Sequence, residues 1–236
     1  MANENEKNYY IRKKRALMRL FKTVLVMVKD ILIEQFGEPK FKELSIITTN
    51  EFETLISQIP YVGGDQNHLT DALINSALLL PFLRAFEEEG LSYEDIGRLT
   101  YDMFEVFYRL IPPTDDIFTE GYLQQLEEDA KKSKLRKYES DWVYDFIEGD
   151  GKTFTFGTTY YECGVFKFYK SQGAEDFMPI VCISDFAQAH AYGYGLKRTQ
   201  TIGNGAPMCD FRYDKNSSTP RAWPPDHLPE FKKKHL

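Results

Sequence analysis

Cysteine is scarce in this sequence, and long apolar runs are absent. Its three cysteines, Cys163, Cys182 and Cys209, are an odd number and a poor basis for a disulfide framework, which favours a reducing, cytoplasmic compartment. The best apolar run covers only residues 23–28 and is bracketed by lysines. A bilayer span needs roughly 20 apolar residues, so we expect no membrane span. No small-residue cleavage site follows the run, so we also expect no secretory signal.

The strong catalytic motifs are missing as well. The sequence contains no GxxxxGK[ST], HExxH or GxSxG, and no GxGxxG that opens a helix after a strand. These absences exclude the common nucleotide-binding, zincin and serine-hydrolase classes. Basic residues are outnumbered, with 29 Lys and Arg against 36 Asp and Glu and a formal charge of −7. This is the wrong sign for affinity based on phosphate contacts, so we expect no nucleic-acid partner.

The 236 residues are 42% hydrophobic and include 18 Phe and 15 Tyr, enough for a globular core and for an aromatic ligand cavity. The first half has helical spacing of apolar residues. It predicts helices over 9–36, 51–59, 68–86, 92–110 and 119–137. Positions 7–29 carry eight basic and no acidic residues. A solvated face explains such a flank, although it could also bind an acidic membrane surface or another helix.

The texture changes near Tyr138, where aromatic and β-favouring residues become frequent. The pattern predicts strands over 142–148 and 153–161, helices over 162–170 and 177–192, and strands over 195–202 and 208–213. The order β-β-α-α-β-β predicts an α+β fold, with a helical N-terminal half packed on a C-terminal antiparallel sheet that has two covering helices. We predict a helical region over 1–137, an α+β catalytic or ligand-binding region over 138–213 and an irregular Pro-rich tail over 214–236.

Thiols, carboxylates and one imidazole concentrate in the predicted α+β region. They are Cys163, Cys182, Asp185, His190, Cys209 and Asp210. A four-stranded sheet covered by two helices can bring them together. Cys163 would begin a helix, where the helix dipole lowers the pKa of a thiol and favours the nucleophilic thiolate. Buried, inert packing is the alternative for each cysteine. Zinc is a further alternative, although spacings of 19 and 27 positions lack the paired knuckles of structural zinc sites.

The predicted strand 195–202 alternates its side chains, so Arg198, Gln200 and Ile202 share one face. If that face lines a cavity, Arg198 can bind a substrate carboxylate with both guanidinium branches. It can instead pair with Asp210 or another acid across strands. Alternation also predicts that Cys209 and Asp210 point to opposite sides, so at most one of them contacts substrate unless a β-bulge intervenes.

Several segments together resemble the L-2-amino-thiazoline-4-carboxylic acid hydrolase family. They are 162–163, 182–186, 196–201 and 209–213, and the resemblance covers about 140–213. Relatives often have a second cysteine where this chain has Met208, which removes one thiol. The resemblance implies hydrolytic opening of a cyclic amidine, a thiazoline that bears a carboxylate, toward a carbamoyl-cysteine product.

We therefore predict a hydrolase acting on non-peptide C–N bonds of the cyclic amidine type, with no cofactor. A thiolate or an activated water would attack the amidine carbon, and an acid would protonate the departing nitrogen. The candidate catalytic residues are Cys163, Cys182, Asp185, Cys209 and Asp210, and the candidate substrate-binding residues are Arg198, Thr199, Thr201 and His190. The alternatives are a small-molecule-binding or sensing module without catalysis and a metal-dependent hydrolase with Cys ligands to zinc. We expect a small carboxylate-bearing substrate, and the N-terminal helices could form a homo-oligomer.

Overall fold

The computed structural model describes residues 6, 8–111, 113, 116–229 and 231. These residues form two compact units, one reaching to Phe107 and one starting at Tyr108. The regions predicted from the sequence, with a boundary between 137 and 138, stay a prediction. Within the described ranges, no helix is long and apolar enough to cross a membrane.

The first unit is helical. Its elements are α1 (Tyr9–Met27), α2 (Lys29–Phe36), α3 (Glu38–Leu55), α4 (Thr70–Glu88) and α5 (Tyr93–Leu110), the last of which contains the division between the units. The predicted helix 9–36 has the expected limits, but it is interrupted at Val28. The predicted helix 51–59 is too short, because α3 already begins at Glu38. Pro39 lies in its first turn, where the missing N–H has no helical partner to lose.

Apolar packing and local capping explain the first unit. The ring of Phe21 stacks on Phe52 at 4.9 Å and on Phe82 at 5.4 Å between centroids. Ser92 caps α5 as its sequence predicts, since its Oγ accepts from the backbone N–H of Asp95 at 3.1 Å. The basic flank of α1 includes exposed arginines and lysines, as a solvated face requires; Lys7 lies outside the described residues.

The second unit contains α6 (Glu120–Ser133) followed by the predicted order β-β-α-α-β-β, except that the second predicted helix is divided in two. The α+β fold is confirmed. Its elements are β1 (Val143–Glu148), β2 (Phe156–Glu162), α7 (Gly164–Ser171), α8 (Met178–Cys182), α9 (Ser184–Tyr192), β3 (Gly195–Lys197) and β4 (Cys209–Asp214). The four strands form an antiparallel sheet in the order β1-β2-β4-β3. The predicted helix 177–192 is divided at Ile183 into α8 and α9.

The predicted strand 195–202 is wrong beyond Lys197, where β3 ends. The Asp210 carboxylate takes the backbone N–H groups of Thr199 at 2.8 Å and Gln200 at 2.9 Å, so these groups are not available to a β-ladder. Residues 202–204 then form a 3-10 turn. The predicted alternation that would place Arg198, Gln200 and Ile202 on one face of a strand is therefore wrong. Arg198 lies just after the end of β3.

One face of the sheet carries the aromatic side chains. The register places Tyr160 opposite Cys209 and Phe156 opposite Tyr213, on strands whose alternate residues point to the same face. The tail is irregular apart from a 3-10 turn at Pro225–His227, yet Thr219 and Ala222 are buried. Of the predicted tail 214–236, residues 230 and 232–236 lie outside the described residues.

Candidate functional site

Arg198 is the charged residue around which the site is organised. Its side chain is only 1% exposed. One guanidinium nitrogen donates to Asp185 Oδ2 at 2.6 Å and another donates to the Cys182 carbonyl oxygen at 2.7 Å. The guanidinium also lies over the rings of Phe186, at 5.0 Å, and Phe211, at 4.6 Å. Because two guanidinium nitrogens already donate to protein groups, these contacts do not favour the predicted binding of a substrate carboxylate. That role stays a prediction.

Asp185 lies in a recess. Its side chain is 40% exposed, yet burial raises the pKa of its carboxyl while the neighbouring Arg198 lowers it. Solvent reaches the Asp185 carboxyl, but its raised pKa indicates that protein surrounds it on most sides. Its other oxygen, Oδ1, has no hydrogen-bond partner among the described residues. The carboxylate is thus held from one side and open on the other.

Two of the thiols meet at one hydroxyl. Thr201 Oγ1 donates to Cys182 Sγ at 3.5 Å and lies 3.4 Å from Cys209 Sγ. The backbone N–H of Ile202 donates to Cys209 Sγ at 3.2 Å. A Cβ at Gly203 would lie 2.6 Å from Cys182 Sγ, so only glycine allows this close approach. The segment 201–203 therefore encloses both sulfur atoms.

Cys163 caps α7, close to the helix start predicted for it. Its Sγ accepts from the backbone N–H of Phe166 at 3.4 Å. The expected lowering of its pKa is wrong: burial raises the pKa of this thiol to about 12, and the backbone hydrogen bonds only oppose that rise. Burial also raises the pKa of Cys182 and of Cys209. At rest all three are neutral thiols, since desolvation disfavours a thiolate.

The thiols and Asp185 share one neighbourhood. The pKa of Cys163 is raised, after burial, by Cys209 and Asp185, and that of Cys182 is raised by Cys209 and Cys163. The Arg198 charge lowers the pKa of Cys182 and of Cys209. Hydrogen bonds join Cys182 and Cys209 through Thr201, and Arg198 joins Asp185 to the Cys182 carbonyl. Cys163 is linked to this group by the electrostatic influence of Cys209 and Asp185 on its pKa. We call these residues the cluster: Cys163, Cys182, Cys209, Asp185, Arg198 and Thr201.

Three of the predicted site residues have other partners. Asp210 accepts from the backbone of Thr199 and Gln200 and also binds the Thr199 hydroxyl, so it holds the chain after β3. His190 Nδ1 lies 2.9 Å from the carbonyl oxygen of Thr219. For Asp210, Thr199 and His190 the predicted roles stay predictions, and the contacts described for them connect them to the scaffold.

The sequence did not single out the tyrosines around the carboxylate. The pKa of Tyr108, Tyr160, Tyr194 and Tyr213 is raised by burial and, to a lesser extent, by the charge of Asp185. Tyr160 and Tyr213 could have been found, because they share a face with Cys209 by strand alternation. The other two required the tertiary fold.

The metal alternative is not supported by a ready-made ligand set. In the part of the chain that the structure describes, no group of three or more His, Cys, Asp or Glu side chains could hold a metal ion. Binding of zinc by the thiols stays a prediction.

An open groove lies elsewhere in the second unit. It has a volume of about 1000 Å³ and is lined by side chains of α6, β1 and the turn after β1, with Phe118, Phe146 and Phe154 among them. None of the clustered thiols, Asp185 or Arg198 lines it. The chemistry-bearing groups thus lie outside this groove.

Comparison with known proteins agrees with the resemblance found in the sequence. Residues 97–213 match the family model described as L-2-amino-thiazoline-4-carboxylic acid hydrolase. No curated protein matches the chain, and no solved structure does. The matched range includes every residue of the cluster.

Proposed function

Because the chain belongs, through residues 97–213, to the L-2-amino-thiazoline-4-carboxylic acid hydrolase family, we propose that it is a hydrolase that opens a small cyclic amidine with a cysteine nucleophile. The proposal is supported by the Thr201 hydroxyl, which contacts the sulfur atoms of Cys182 and Cys209, and by Arg198, which joins Asp185 to the Cys182 carbonyl. It is also supported by the influence of Cys209 and Asp185 on the pKa of Cys163. Hydrolysis of an amidine needs a nucleophile, a base that accepts its proton and an acid for the leaving atom. The cluster offers residues for each of these tasks.

Cys163 is the thiol best placed for the attack. It is partly exposed and lies within the field of Asp185, whereas Cys209 is buried, with 6% of its surface exposed. A thiol with a pKa of about 12 is a weak nucleophile at neutral pH, so it must lose its proton to a base as it attacks. Once formed, the thiolate accepts the N–H of Phe166 and is stabilised by the N-terminus of α7.

Asp185 serves as base and then as acid. The Cys163 thiol gives its proton to the Asp185 carboxylate while its sulfur bonds to the amidine carbon. The ring C–N bond breaks, and the departing nitrogen takes that proton. Water then adds to the same carbon and expels the Cys163 sulfur, which regains a proton, so the net reaction consumes one water. The raised pKa of Asp185 supports both roles, because it lies nearer to neutral pH than that of an ordinary aspartate.

The other cluster residues hold this arrangement. Arg198 is a positioning residue, because its fork fixes one Asp185 oxygen and the end of α8. Thr201 keeps the Cys182 and Cys209 sulfur atoms at the wall of the recess. In this proposal the substrate carboxylate is not bound by Arg198.

The test is turnover of 2-amino-thiazoline-4-carboxylate and related cyclic amidines, followed by mass spectrometry. Cys163→Ser and Asp185→Asn should each lower kcat by about 10²- to 10⁴-fold, the usual contribution of a positioned acid or base. The matched control is Glu175→Gln, an exposed carboxylate just before α8, which should leave kcat unchanged.

Other outcomes distinguish the alternatives. Full activity of Cys163→Ser would reject Cys163 as the nucleophile. Ligand binding in a thermal-shift screen without turnover of any cyclic amidine would favour a binding or sensing module. Stoichiometric zinc in purified protein would favour metal-activated water over thiol attack.

A further inference from the structure

Asn204 ends the 3-10 turn Ile202–Asn204, which overlaps the segment 201–203 beside the Cys182 and Cys209 sulfur atoms. Its side chain is buried without a hydrogen-bond partner among the described residues. The residue is only 3% exposed. Neither Nδ2 nor Oδ1 of its amide has a hydrogen-bond partner among the described residues. Burying a polar amide without hydrogen bonds is unfavourable, and most buried polar atoms in proteins are paired. The unpaired amide therefore requires an explanation.

The turn itself does not provide one. Asparagine is common in turns because its side chain bonds to nearby backbone groups. Here the backbone closes the turn alone. The N–H groups of Asn204 and Ala206 bond to the Thr201 carbonyl at 3.0 and 3.1 Å, and that of Gly205 bonds to the Ile202 carbonyl at 2.9 Å. The amide is left over after these bonds are made.

The same turn forms part of the thiol cluster. Thr201 and Ile202 contact the sulfur atoms, and the backbone of Gly203 approaches both Cys182 Sγ and the carbonyl of Met178 on α8. A glycine pressed this closely against α8 fixes where the next residue can go. The buried amide thus lies two residues along the chain from Ile202, whose backbone N–H donates to Cys209 Sγ.

We propose that Asn204 is a substrate-binding residue of this site, a role that rests on the proposed function. Its amide presents an N–H donor beside a carbonyl acceptor. A planar amide or amidine group, with an N–H next to a lone pair, complements both atoms at once. Asn204 thus selects neutral, planar N–C–N or N–C–O groups, and the bound substrate supplies the two missing hydrogen bonds.

The test is Asn204→Leu, which keeps the approximate size of the side chain and removes both polar atoms. Replacing an unpaired buried polar group by an apolar one should leave Tm unchanged or raise it. The kcat/KM for 2-amino-thiazoline-4-carboxylate should fall roughly tenfold or more, because hydrogen bonds to substrate are lost. The matched control is Thr100→Val on α5, since Thr100 is fully buried with an unpaired Oγ1. Its Tm should also not fall, and its kcat/KM should not change.

A lower Tm for Asn204→Leu with kcat/KM within twofold of the unsubstituted protein would mean that the amide has a structural partner such as a bound water, and would overturn the role. If Asn204→Leu does not fold, Asn204→Ala replaces it. Formamide added to that variant should then restore turnover, and a failure to restore it would also overturn the role.

Failure of the proposed function has a different signature. If the unsubstituted protein binds 2-amino-thiazoline-4-carboxylate in calorimetry but does not turn it over, the hydrolase proposal fails. The role of Asn204 is then judged by binding alone, which Asn204→Leu should weaken roughly tenfold. Absence of both binding and turnover would overturn the role together with the proposed function.

Discussion

The two units differ in what their interiors contain. In the first, aromatic rings stack at Phe21, Phe52 and Phe82, and the buried Thr48 hydroxyl donates to the Leu44 carbonyl of its own helix at 2.7 Å. In the second, the interior holds three thiols, a carboxylate and a guanidinium around a recess. Desolvated ionisable groups oppose folding. The first unit also buries Glu105, but the second unit contains several such groups whose charges influence one another. This indicates that the interior of the second unit is shaped by chemistry and not by packing alone.

The largest difference should come from the paired charges of the two units. Arg198→Leu removes the hydrogen bonds of a buried guanidinium to Asp185 and to the Cys182 carbonyl. It should lower the free energy of unfolding by about 2–3 kcal/mol, since a hydrogen bond to a charged group contributes about 1.5–3 kcal/mol. Arg84 in the first unit pairs with Glu51 at 2.7 Å, but the two side chains are 30% and 25% exposed. Arg84→Leu should lose only on the order of 1 kcal/mol. Urea titrations of both variants measure the two losses, and equal losses would remove the contrast.

The pH dependence should separate Asp185 from ordinary surface carboxylates. Its folded pKa lies above the ordinary 3.8, so the folded state binds the proton more tightly than the unfolded chain. That contribution to stability is present below pH 3.8 and is lost as the pH rises through the folded pKa. As a base, Asp185 must be ionised, so kcat/KM should fall at acid pH with a midpoint above 3.8. A pH–rate profile with a midpoint at or below that value would contradict the role.

The smallest effect on stability and turnover should come from substitution of Asp210, the carboxylate in β4. Asp210→Asn removes charge from an acceptor that holds the N–H groups of Thr199 and Gln200, and it should lower stability by about 1–2 kcal/mol. The kcat should stay within about threefold of its original value if Asp210 only holds the chain. Turnover and urea titration on the same preparation measure both. A loss of kcat as large as that of Asp185→Asn would return Asp210 to the catalytic residues.

Local signals predicted much of the fold. Helical spacing identified the helices, and the Ser92 cap identified the start of α5. The order β-β-α-α-β-β was correct apart from the division of its second helix at Ile183. Errors arose where a side chain from elsewhere competes with the backbone. Strand 195–202 fails after Lys197 because Asp210, distant in sequence, takes the N–H groups that a ladder would need. Propensity in a short window contains no information about such a competitor.

The site was predictable in its residue types but not in its contacts. The cysteines, Asp185 and Arg198 were all named from the sequence, yet their pairing through α8 and α9 is a tertiary fact. The helix dipole argument for Cys163 failed because burial outweighs it, and burial is not visible in a sequence. Asn204 gave no signal, since its neighbours Gly203 and Gly205 only indicate a turn.

The most direct measurement is a search for substrate attached to sulfur. The protein is mixed with 2-amino-thiazoline-4-carboxylate, quenched in acid during turnover, digested and analysed by mass spectrometry. We expect a mass increase on the peptide that contains Cys163, and no such increase in the Cys163→Ser variant. Turnover that leaves all three cysteine peptides unmodified and persists in Cys163→Ser would contradict this expectation.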